Sequence, residues 1–127
     1  MSYYFAKATA YAFEEAIARV TEELKKEGFG VLTEIDVKET LKKKLNVDFR
    51  RYKILGACNP PFAHQALQAE EYIGAMLPCN VIVQEKASGV EVAAVDPVAS
   101  MAAIQNDKLA GVAAQVRQKL ETVIRNV

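Results

Sequence analysis

The sequence predicts an α+β fold, one domain over residues 1–127, with a mixed or mainly antiparallel sheet of about five strands and helices packed on it. Three observations lead there. Segments near the start and at the end of the chain repeat apolar residues at helical spacing. Several short segments alternate apolar and polar residues, or run apolar without a break, as strands do. The last two strands follow each other across a short turn, so strict alternation of strand and helix fails. The predicted order is β-α-β-α-β-α-β-β-α-α, with the helices on one face of the sheet.

Tyr4, Ala6 and Ala8 alternate with Phe5, Lys7 and Thr9, which predicts a first strand. Phe13, Ile17, Val20 and Leu24 then make the apolar stripe of an amphipathic helix, and Gly28 stops it by adopting a left-handed conformation. Phe29 to Ile35 predicts a strand, with Val31, Thr33 and Ile35 on one face and Leu32 and Glu34 on the other. Asp36 caps a short helix, with Glu39 in the capping-box position, apolar Val37, Leu41 and Leu45, and Asn46 as its stop.

Tyr52 to Cys58 predicts a strand whose unbroken apolar run suggests cover on both faces. Asn59 is an expected N-cap, with Pro60 at the first helical position, where its missing N–H costs nothing. Phe62, Ala66, Ala69 and Ile73 line this third helix, and Gly74 and Pro78 end it. Val81 to Val83 and Val90 to Val95 form strands joined through Lys86-Ala87-Ser88-Gly89. Asp96-Pro97 repeats the cap-plus-proline start for a short helix through Ala103, and Asn106-Asp107 restarts the chain as a helix. Leu109, Val112, Val116, Leu120 and Val123 mark that last, long helix.

Composition excludes several function classes. Sixteen basic side chains balance sixteen acidic ones, which argues against a nucleic-acid partner. The local basic run of Lys42, Lys43, Lys44, Arg50, Arg51 and Lys53 reads as a solvated helix face and loop. The segment Met1 to Lys7 has no secretory pattern, and no apolar run is long enough to span a bilayer, so no membrane partner is expected. Two cysteines do not make a disulfide scaffold, and a cytoplasmic setting with reduced thiols follows as the default. No phosphate-cradling loop, serine elbow or zinc motif is present, and no cofactor is expected. His64, the single histidine, falls away from the apolar stripe of its helix, at the surface or an oligomer interface. The aromatic run Tyr3, Tyr4 and Phe5 fits an edge strand, and Met1, Met76 and Met101 read as core or terminus.

The candidate site is Gly56-Ala57-Cys58-Asn59-Pro60-Pro61, where a strand ends and a helix begins. Free N–H groups at a helix start stabilise a nearby thiolate, so Cys58 is a candidate nucleophile, redox centre or soft-metal ligand; a small buried hydrophobe is the plain alternative. Cys79 is its candidate partner. The two meet if their strands run antiparallel, and lie at opposite ends of the sheet if a parallel crossover joins them.

Val47-Asp48-Phe49, Tyr52 to Pro60, Leu77-Pro78-Cys79-Asn80-Val81 and Val95-Asp96-Pro97 together resemble the bacterial and archaeal family of domain of unknown function 302, across nearly the whole chain. The resemblance implies an α+β fold and a homodimer, and supplies no activity. It marks Cys58, Asn59, Pro60, Cys79, Asp96 and Pro97 as pattern residues; the caps and prolines have structural reasons, the cysteines no equal one. Two readings follow. One is a ligand-binding or interaction module with a pocket between sheet and helices, taking a small molecule at Cys58, Asn59, Pro60, Cys79 and Asp96. The other is thiol, sulfur-transfer or soft-metal chemistry through Cys58 and Cys79. Whether the protein is an enzyme is left open.

Overall fold

The computed structural model describes residues 2–127, so Met1 lies outside the described residues. The elements are β1 (Tyr4–Ala8), α1 (Phe13–Lys26), β2 (Gly30–Asp36), α2 (Val37–Leu45), β3 (Tyr52–Cys58), α3 (Pro60–Ala69), a 3₁₀ turn (Ile73–Met76), β4 (Cys79–Lys86), β5 (Gly89–Val95), α4 (Pro97–Ser100) and α5 (Asp107–Asn126). The order is the predicted one. The five strands form one sheet, β1-β5-β4-β3-β2, in which every pair is antiparallel.

One sheet face and the helices make the core. Leu55, Ala57, Val81, Val83, Val92 and Ala94 meet Phe13, Ala16, Val20 and Leu24 of α1 and Leu109, Val116, Leu120 and Val123 of α5, all buried. The long helix α5 touches α1, α3, α4, β1 and β5, so it is the element the others share. Lys7 ties its end down: Nζ donates to the carbonyls of Arg125 at 2.8 Å and Val127 at 2.7 Å, where a cation meets the negative end of the helix dipole.

The predicted punctuation holds at several joints. Gly28 has φ +86°, and the N–H groups of Gly28 and Phe29 donate back to Lys25 and Leu24 at 3.0 and 2.9 Å, a Schellman end for α1. Asp36 accepts from the Glu39 N–H at 2.9 Å, and Asn46 ends α2 at φ 53°. Asp96 accepts from the N–H groups of Val98 and Ala99. Asn106 accepts from those of Lys108 and Leu109.

Four expectations are corrected. In β2, Val31 pairs with Ala57 and Thr33 with Gly56, so Leu32 is an extra residue in a bulge. Val31 therefore faces the helices while Thr33 and Ile35 face the other way. In β3, Leu55 and Ala57 are buried under helices but Ile54 is only half-buried, so the strand is not covered on both faces. Its apolar run stays unbroken because Ile54 joins Ile35 and Ile82 in an apolar cluster on the outer face. The third helix stops at Ala69, before Ile73. The Ala69 carbonyl that a continuing helix would give to the Ile73 N–H is taken by Asn106 Nδ2 at 2.6 Å, and Ile73 bonds Glu70 instead. Met76, expected in the core, is exposed on the 3₁₀ turn, whereas Met101 is buried.

A close approach fixes one residue. A Cβ at Gly56 would overlap Thr33 Oγ1 and lie 2.8 Å from Pro78 Cγ. Gly56→Ala is expected to cost about 1–3 kcal/mol in urea unfolding, and Thr33→Ala in the same chain to recover part of that loss. An unchanged unfolding midpoint would show that this packing is not tight.

Candidate functional site

Because β3 and β4 are antiparallel, the end of β3 meets the start of β4, and Ala57 pairs directly with Cys79. Residues 59–78 must therefore leave the sheet and return to the same end of it. The helix α3 leads out and the 3₁₀ turn leads back. Beneath α3 lies a cavity of about 330 Å³, within the range of small-molecule sites. Its floor is the strand end at Ala57, Cys58 and Cys79; Phe62, Ala63, Ala66 and Leu67 of α3 form the roof, and Leu109, Val112, Ala113 and Val116 of α5 the wall. Phe29, set by the Schellman end of α1, bulged Leu32, Met101 and Pro97 also line it, with Gly74, Leu77 and Pro78 of the return segment. No residue lining the cavity is charged.

Asn59 is the one polar amide in that lining, and it is buried, 7% exposed. Its expected role is corrected: its side chain makes no capping bond to α3. Nδ2 instead donates across to the Glu27 carbonyl at 3.1 Å. This orients the amide, since only the nitrogen can donate. Oδ1 accepts from no donor among the described residues, and it is not sealed from open space.

The thiols differ. Cys58 is half-buried and Cys79 buried, and both are free. Burial, and then the neighbouring Cys58, push the Cys79 thiol from 9.0 up to about 11. The expected donor-rich helix start beside Cys58 is not found at its first two positions, because Pro60 and Pro61 carry no N–H. The N–H of Ala63 is spent on the Asn59 carbonyl at 2.9 Å. Among the described residues no cluster of three or more His, Cys, Asp or Glu is gathered, so a metal at these sulfurs would find two protein ligands.

Cys58, Asn59 and Cys79 thus come together. Pro60 is exposed and does not line the cavity. Asp96 lies outside it, with Oδ1 capping α4 and Oδ2 receiving Arg117 Nε at 3.0 Å. His64 is exposed.

The family model for "Domain of unknown function DUF302" matches residues 5–127. The chain belongs to the DUF302 family. A crystal structure of an uncharacterized conserved DUF302 protein from Bacillus stearothermophilus is similar, with a TM-score of 0.93 and 28% identity over 99% of this chain and 98% of that one. No curated protein matches significantly. In this DUF302 chain the cavity draws most of its lining from apolar residues that read as ordinary core. Phe29, Met101, Leu109, Val112 and Val116 carried no functional signal in the sequence. The small residues Ala63, Ala66 and Ala113 were the available hint, since facing small side chains leave space.

The Cys79 shift fixes a pH dependence. In the unfolded chain the thiol ionises near 9.0, whereas in the folded chain it stays protonated to about 11. Above pH 9 the unfolded state holds fewer protons, so stability falls as pH rises, by up to about 3 kcal/mol once pH passes the folded value. Cys79→Ala is expected to flatten this fall in urea titrations between pH 8 and 11. An equal fall in wild type and variant would contradict the assignment.

Proposed function

We propose that this DUF302 protein is a small-molecule-binding module whose site is the cavity under α3, and that it works in the cytoplasm as a homodimer. The observation that carries the binding reading is the cavity itself, an uncharged apolar space holding one oriented amide. An apolar concavity of about 330 Å³ with a single placed polar group is the usual form of a small-molecule site.

The dimer reading draws on the outer sheet face. Tyr4, Ile35, Ile54 and Ile82 stand there exposed or half-buried. The polar groups at its edge are already satisfied: Arg50 donates to Gln84, Gln84 to Glu91, and Lys86 to Glu91. A face with this apolar patch and an internally paired polar border is compatible with a second copy of itself across a two-fold axis. Two unpaired thiols support a reducing compartment. Among the described residues no helix is long and apolar enough to cross a membrane.

A second reading, thiol or soft-metal chemistry, is favoured by both sulfurs lining one cavity. The raised Cys79 thiol weighs against it, because the nucleophile and metal ligand is the thiolate.

Toluene, an apolar probe without polar groups, is expected to raise the melting temperature of the wild type. Ala66→Phe, which fills the space from α3, is expected to abolish that rise while the chain stays folded by circular dichroism. No rise in the wild type, or the same rise in the folded variant, would overturn the cavity reading. For the dimer, sedimentation is expected to give twice the chain mass of 14.0 kDa, and Ile82→Glu to give the single chain with its helical signal retained. A wild-type monomer would overturn it.

A further inference from the structure

We infer that the ligand of this cavity is an uncharged aromatic molecule of one to two rings bearing a single O–H or N–H donor, which docks on Asn59 Oδ1. The inference rests on the binding reading above and adds the chemical class.

Size comes first. An apolar cavity of roughly 150 Å³ holds one benzene ring. About 330 Å³ therefore has room for about two fused rings. Charge comes second. No lining side chain is ionic, and Cys79, whose burial disfavours its thiolate, adds no charge at neutral pH. An ionised ligand would lose its hydration without gaining a counter-ion, which costs far more than apolar contacts return. Lys119 Nζ lies 6.0 Å from the centroid of the Phe62 ring, does not line the cavity, and is engaged with Glu27 at 3.9 Å.

The polar specificity comes from Asn59. The residue is more than nine-tenths buried, its Nδ2 is held by the Glu27 carbonyl, and its Oδ1 has no donor among the described residues. The Glu27 carbonyl is itself fixed by the Schellman end of α1, and Gly28 leaves room for the amide: a Cβ there would sit 3.2 Å from Asn59 Nδ2. The acceptor is therefore held in place before any ligand arrives. Oδ1 opens to space and is free to accept from water; a ligand O–H or N–H that displaces that water replaces its bond. An analogue without the donor does not, so it binds less tightly. The rings of Phe29 and Phe62 and the thioether of Met101 favour an aromatic body through edge and sulfur contacts.

The test uses the full chain and three probes of one shape: 2-naphthol, 2-methoxynaphthalene and 2-naphthoate. Binding is followed by amide chemical-shift titration, which also reports where each probe sits. The expected result is that 2-naphthol perturbs α3 and the first half of α5. The methoxy compound, which lacks the donor, should bind there roughly ten-fold more weakly, and the naphthoate should leave those amides unmoved. Asn59→Leu should erase the difference between naphthol and its methyl ether. The ranking of the three probes on the wild type decides the inference even if that variant fails to fold. Equal binding of naphthol and its ether at the cavity, or tighter binding of the naphthoate, would overturn the assigned class and leave the cavity reading standing. No perturbation of the cavity by any probe would overturn both.

Discussion

The arrangement depends on how α3 is held above the sheet. A ten-residue helix is marginal by itself, and only Ala66 of α3 is fully buried, so packing alone does not seat it. Two asparagine amides hold its ends. Asn59 reaches from the start of α3 to the Glu27 carbonyl at the end of α1. Asn106 reaches from the start of α5 to the Ala69 carbonyl at the end of α3. Each bond is worth about 1 kcal/mol net, but together they bridge the helix to α1 and α5. Small side chains at Ala63, Ala66 and Ala113 then leave α3 standing off its neighbours, and the cavity is the space that remains.

The pattern residues divide along this line. Asp96 is fully engaged in structure: it caps α4, receives Arg117 at 3.0 Å, and its own N–H bonds the Tyr3 carbonyl at 2.7 Å. That single residue joins the segment leading into β1 to α4 and α5. Cys79 is buried at the root of β4 with its thiol held protonated, which suits a small apolar floor residue better than a reactive one. Cys58 and Asn59 are the ones left facing open space with polar atoms.

Much of the fold was legible because local chemistry decided it. The stripes of α1 and α5, the N-cap at Asp36 and the left-handed stops at Gly28 and Asn46 follow from spacing and side-chain type, whereas the Glu39 carboxylate pairs with Lys43 and does not complete a capping box. What was hidden depended on partners distant in sequence. The bulge at Leu32 exists only against β3, since a strand alone has no register. The end of α3 at Ala69 is set by Asn106, 37 residues further on. Asn59 had all the marks of an N-cap, yet the Glu27 carbonyl, 32 residues earlier, claims its amide. The location of the site was half visible: Cys58, Asn59 and Cys79 pointed to it, but the wall from α5 and the contributions of Phe29 and Met101 were indistinguishable from core.

The central claim is that α3 roofs a persistent space. Xenon pressurised into crystals of the protein tests it most directly, because xenon enters apolar cavities and scatters strongly. A xenon atom is expected between Ala66, Cys79 and Val112, with the bonds from Asn59 to Glu27 and from Asn106 to Ala69 intact. Crystals with α3 collapsed onto the strand ends, and no xenon there, would contradict it.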